Sequence, residues 1–98
     1  MNPEKREFLS LPKPPARLTA EQVAWMLGFE THDIPTLLRA GLLRPLGTPA
    51  PNSPKHFALI EIQERMQDVR WLARASGAIQ SHWRTHNARR KLEVVASQ

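Results

Sequence analysis

The chain has 98 residues, with 14 Lys and Arg against 9 Asp and Glu and no cysteine, for a formal charge of +5. That length holds one small domain plus tails. The missing cysteines exclude disulfides and thiolate zinc sites, no run approaches the ~20 apolar residues that span a bilayer, and the amino end lacks the apolar core of a secretory signal. The positive balance points to an anionic partner, and the cytoplasm is the expected compartment.

Residues 1–17 mix charges with Pro3, Pro12, Pro14 and Pro15 and read as an extended arm, with Phe8, Leu9 and Leu11 available to dock on the body. Lys5, Arg6, Lys13 and Arg17 either touch phosphates, as some basic arms do, or form a solvated tail.

From Leu18 a helix start is complete. Thr19 caps, Gln22 closes a capping box and Leu18 staples onto Val23. The helix, about Ala20 to Leu27, places Val23, Met26 and Leu27 on one side, and Gly28 supplies the left-handed turn that ends it. A second short pattern follows, Ile34, Leu37 and Leu38, ended by Gly41. Two short helices around a tight glycine turn form a helix-turn-helix. In such a motif the second helix presents side chains from its amino-terminal half, here Thr31, His32, Asp33, Pro35 and Thr36. No Arg or Lys is among them, although these make the commonest specific base contact. Asp33 either caps the helix or accepts from a cytosine amino group. Pro35 is tolerable only in the first turn, which makes this helix short.

Leu42–Leu46 reads as a short strand, with Pro45 limiting its ladder. Gly47–Pro54 is a loop dense in turn residues, and Lys55, His56 and Phe57 read as the returning strand, with Phe57 anchoring it to the core.

The order L-T-x-E-Q-V-A-x-x-L-G, then L-L-x-A-G-L-L, then a proline-rich hairpin ending K-H-F resembles the winged helix-turn-helix of the MerR and excisionase-like superfamily. Leu18, Thr19, Glu21, Gln22, Val23, Ala24, Leu27, Gly28, Leu37, Leu38, Gly41, Leu42 and Leu43 carry the likeness, which spans roughly Leu18 to Ile62. It implies a DNA-binding fold in which the helix from about Thr31 to Ala40 enters the major groove. Thr31, His32 and Thr36 would touch base edges or phosphates, Arg39 and Arg44 the backbone, and Lys55 and His56 the groove flanking the wing. The resemblance also implies dimerisation through a helix after the wing.

From about Leu59 the pattern is helical, with Ile62, Met66, Val69, Leu72 or Ala73, Ser76, Ile79 and Trp83 recurring at three and four and Trp71, one residue off the seam, widening the apolar face. Gly77 marks either a bend or a boundary. A break there lets the last segment fold back on the head; a continuous helix leaves Ile79 and Trp83 to a second chain, a homodimer through the C-terminal helix.

Charge is uneven. Between Leu18 and Gly47, Arg39 and Arg44 face Glu21, Glu30 and Asp33, whereas Arg70 to Lys91 carries six basic residues and no acid. Arg84, Arg89, Arg90 and Lys91 either add non-specific attraction to phosphates or form a solvated helix end whose cations suit the dipole. His82 and His86 stand at i, i+4, but Trp83 occupies the place of the zincin glutamate and two ligands fall short of a metal site. No phosphate loop or nucleophile elbow is present.

The expected fold is therefore mainly α, a small winged helix-turn-helix with a two-stranded wing and a long C-terminal helical segment. Its expected divisions are 1–17 arm, 18–75 winged helix-turn-helix and 76–98 basic helix and tail. The expected function is binding of double-stranded DNA, as a transcriptional regulator or an excisionase-like architectural factor. No enzyme activity, cofactor, metal, membrane or small-molecule substrate is expected. Two alternatives stand beside it: a protein-interaction module that keeps the fold without DNA readout, and single-strand binding through the arginines and tryptophans of the last helix.

Overall fold

Eight segments of regular structure are present in the computed structural model, which describes residues 2–96, with side chains described from Asn2 to Lys91. In chain order they are α1 (Pro3–Leu9), β1 (Arg17–Thr19), α2 (Ala20–Leu27), a 3-10 turn (Thr31–Asp33), α3 (Ile34–Arg39), β2 (His56–Ala58), α4 (Leu59–Met66) and α5 (Val69–Ala96). The fold is mainly α, with one two-stranded antiparallel sheet and a long C-terminal helix. No helix among the described residues is long and apolar enough to cross a membrane.

The helix-turn-helix forms for the reasons its sequence suggests. Gln22 N–H donates to Thr19 Oγ1 at 3.2 Å, and Thr19 N–H donates to Gln22 Oε1 at 3.0 Å. Gly28 at φ +82° ends α2, with the N–H groups of Gly28 and Phe29 both closing on the Ala24 carbonyl. Gly41 at φ +74° ends α3 in the same way, with Leu42 N–H on the Leu37 carbonyl and Gly41 N–H on that of Leu38. The buried side chains of both helices, Val23, Ala24, Ile34 and Leu37, meet Leu18, Phe57, Ile62 and Trp71 in one core.

Four sequence expectations change. The arm is not extended throughout: Asn2 Oδ1 accepts from Glu4 N–H, Pro3 opens α1, and Phe8 is buried with its ring 5.7 Å from that of Trp25. Leu9 and Leu11 stay exposed. The strand expected over Leu42–Leu46 does not form. The N–H groups of Leu42 and Leu43 are already used on the Leu37 carbonyl, and Pro45 has none to give. Leu46 N–H on the His56 carbonyl, 2.8 Å, ties this limb to β2, whose ladder partner is β1 with Leu18 opposite Phe57. Phe57, 1% exposed, is the anchor expected.

The third change is the helix boundary. The helical region breaks at Gln67–Asp68, where Asp68 Oδ1 accepts from Trp71 N–H at 3.0 Å as a cap. α5 then runs unbroken through Gly77, so the division expected between 75 and 76 falls inside one helix; residues 97–98 of that tail lie outside the described residues. The cap shifts the buried stripe of α5 to Trp71 and Ala75, with Leu72 and Ile79 half-buried, and leaves Met66 and Val69 exposed. Fourth, the unbroken helix gives both Ile79 and Trp83 contacts within their own chain, although Trp83 stays 36% exposed. Ile79 packs on the core of its own head, and Trp83 reaches the turn before α3.

At ~1.5 Å per residue α5 is about 42 Å long, which explains a radius of gyration of 15.8 Å where a compact chain of this length has about 13 Å. The glycines of this frame have opposite roles. A Cβ at Gly28 or Gly77 meets nothing within 4 Å, but only Gly28 has positive φ. Gly28→Ala is expected to cost about 1–2 kcal/mol through left-handed backbone strain. Gly77→Ala is expected to stabilise by roughly 0.5–1 kcal/mol through helix propensity. Urea unfolding of the two variants checks both signs, and a destabilised Gly77→Ala would contradict the continuous helix.

Candidate nucleic-acid interface

The stripe that α5 turns toward the head changes character along its length. It begins apolar at Trp71 and Ala75 and, over the next four turns or so, becomes Ala78, Ser81, His82, Thr85, His86 and Arg89. Spacings of three and four keep these residues on one face. Opposite them α3 presents Thr36, Arg39 and Ala40, and the two helices enclose a groove. Two guanidinium groups, two imidazoles and three hydroxyls line it, with no carboxylate. Arg39 Nη2 donates to Thr36 Oγ1 at 3.4 Å, which holds the guanidinium along the groove wall.

Next to the groove-lining His82, Trp83 ties α5 to the turn before α3. Its indole N–H donates to Asp33 Oδ1 at 3.3 Å, while Asp33 Oδ2 accepts from Glu30 N–H at 3.1 Å. Asp33 is 8% exposed. It does not cap α3, at whose N-cap position its side chain makes no capping bond; Oδ2 instead closes the 3-10 turn that precedes α3, and both oxygens are occupied by groups of its own chain. His32 is exposed and sets its ring edge-on to Trp83 at 5.5 Å between centroids; His82 and His86 meet the same indole at 5.1 and 5.4 Å. The three imidazoles hold no metal geometry: among the described residues no cluster of three or more His, Cys, Asp or Glu is placed to bind an ion.

The expected site residues separate into groups. Thr36, Arg39 and Arg89, though 50 or so positions apart in sequence, share the groove. Thr36 is 8% exposed, so it lines a wall rather than standing out as a base-reading side chain. Thr31 lies on the other side of α3, in a cleft between Pro35 and Leu38 and the wing loop at Pro51 and Ser53. Lys55 reaches the same cleft, but its Nζ donates to the carbonyls of Pro51 and Ser53 at 3.1 and 3.4 Å and braces the loop. His56 is half-buried on β2 opposite Thr19. Arg44 is not brought to the groove; it lines a separate cleft with Glu61, Glu64 and Arg65. Arg84, Arg90 and Lys91 are exposed on α5 outside the groove lining.

Ser81, His82, Thr85 and His86 were not among the expected site residues. Their signal is positional. They continue, at helical spacing, the stripe that starts at Trp71, and the phase of that stripe follows from the cap at Asp68. The fold and the groove together define a small winged helix-turn-helix whose last helix flanks the second helix of the motif. Comparison with protein-family models, with curated proteins and with solved structures finds no match.

Proposed function

We propose that the chain binds double-stranded DNA, as a transcriptional regulator or an excisionase-like architectural factor. The observation that carries this reading is the α3–α5 groove, which gathers Arg39 and Arg89 with hydroxyl and imidazole donors and no acid. Such a lining matches the acceptor oxygens of backbone phosphates, which supply much of the affinity and orient a protein on the duplex. The resemblance of Leu18–Ile62 to the MerR and excisionase-like superfamily supports the same reading. Base readout is thin, because Asp33 and Thr36 are buried and Arg39 is the sole Arg or Lys between Thr31 and Ala40. Binding is therefore driven by the backbone and weakly selective.

A second reading, a protein-docking module that kept the fold, is favoured by one observation: α5 covers the Thr36 side of α3. Two packed helices sit ~8–10 Å apart and do not fit together into a major groove ~12 Å wide. The DNA reading accommodates this by seating backbone phosphates along the mouth of the groove, against side chains of both helices, rather than a helix in the major groove. Capture of sheared genomic DNA on the purified protein at near-physiological salt, followed by sequencing, separates the readings. Recovery of many fragments with little motif enrichment is the expected result. No recovery would sink the DNA reading and leave the protein-docking one.

A further inference from the structure

His82 and His86 stand outside the buried core. Neither makes a hydrogen bond within the chain among the described contacts, His86 is exposed, and both rings line the groove. Yet they are ordered relative to each other: the rings lie one helical turn apart, 16° from parallel, with centroids 6.3 Å apart. Their charged neighbours are Arg39 from α3, Arg89 one turn further along α5, and, across the Trp83 indole, His32 and Asp33 from the turn before α3. Asp33 accepts from Trp83 and Glu30 with His32 Nε2 3.8 Å from its Oδ1, and it does not line the groove. An anion entering the groove therefore meets a guanidinium on each wall and two imidazoles between them.

Resting on the DNA reading above, we propose that His82 and His86 bind a backbone phosphate in the α3–α5 groove as imidazolium donors, so that duplex binding takes up protons. A phosphate within reach favours the charged form of histidine, and linkage then requires affinity to rise as pH falls through the histidine range. Each imidazole that gains a proton on binding strengthens the complex by at most about tenfold per pH unit. Each imidazolium that meets a phosphate also steepens the log–log salt dependence by about 0.9.

The test is anisotropy of a labelled mixed-sequence duplex titrated with the full chain between about pH 8 and about pH 5.5, the span over which histidine changes charge. The wild type should bind several-fold more tightly at the acid end and with a steeper salt slope. His82→Gln/His86→Gln should bind like the wild type at the alkaline end and lose most of the gain on acidification. In parallel, the imidazole NMR signals of His82 and His86 in the wild type should move toward their protonated positions when duplex is added at constant neutral pH. This readout does not depend on the variant folding. Equal pH dependence in wild type and double variant, or unmoved imidazole signals in the presence of bound duplex, overturns the histidine proposal alone. Absence of duplex binding across the whole range overturns the DNA reading as well.

Discussion

Trp71→Ala is expected to remove about 3–5 kcal/mol of folding free energy, the range for deleting a large buried aromatic side chain. Trp71 is 1% exposed and joins three parts of the molecule. Its backbone N–H receives the Asp68 cap that starts α5, and its indole N–H donates to the Leu42 carbonyl at 2.9 Å, just past the end of α3. The Arg65 guanidinium lies 5.9 Å from its ring centre on the α4 side. Truncation opens a cavity and leaves the Leu42 carbonyl without this donor, a loss worth ~1–3 kcal/mol by itself for a buried acceptor. Domains of this size have about 5–15 kcal/mol in total, so the variant should melt far below the wild type or be unfolded. Trp71→Phe separates the two contributions: it keeps most of the ring and should lose mainly the hydrogen bond. Thermal unfolding followed by circular dichroism checks both. A melting temperature for Trp71→Ala within a few degrees of wild type would contradict the packing described.

Arg39→Ala/Arg89→Ala should weaken duplex binding more than any other pair of charge removals on the surface, while leaving the melting temperature nearly unchanged. Both guanidinium groups line the groove, and neither forms a salt bridge with an acid among the described residues. If each contacts one phosphate, the log–log salt slope falls by about 1.8, at ~0.9 for each lost contact. Arg44→Ala is the instructive comparison. Arg44 sits with Glu61 and Glu64 in a different cleft, and its removal should leave the slope unaltered. A slope that responds to Arg44 and ignores Arg39 and Arg89 would place the contact surface elsewhere.

Local chemistry explains what could be seen in advance. The capping box of Thr19 and Gln22 and the turns at Gly28 and Gly41 involve neighbours a few residues apart, so their geometry is written in short stretches. Phe57 as an anchor also follows locally, from a large apolar residue in a short strand next to polar ones. The β1 strand was hidden because its three residues include the cap of α2, and its partner lies some 40 residues on. α1 did leave a local signature, Asn2 followed by Pro3 and Glu4, that the surrounding prolines mask.

The groove was less legible, and one residue accounts for much of that. Asp68 resets the helical phase, so a seam drawn continuously from Ile62 through Met66 and Val69 points those residues inward when Met66 and Val69 are exposed and Trp71 is buried. With the phase set by Trp71, the same periodicity leads to Ala75, Ala78, His82 and His86. Thr36, Arg39 and Arg89 were nameable as cations or donors from composition, but their convergence depends on how α3 and α5 pack. That is a tertiary fact with no local signal.

Chemical-shift mapping of the isotope-labelled chain with a mixed-sequence duplex reads out whether nucleic acid lies in the α3–α5 groove, as proposed. The largest perturbations are expected at Thr36, Arg39, Ser81, Thr85 and Arg89, with small ones at Ile60 and Glu64 on α4, outside the groove. Perturbations concentrated on α4 or around Arg44, with the groove silent, would contradict the proposal.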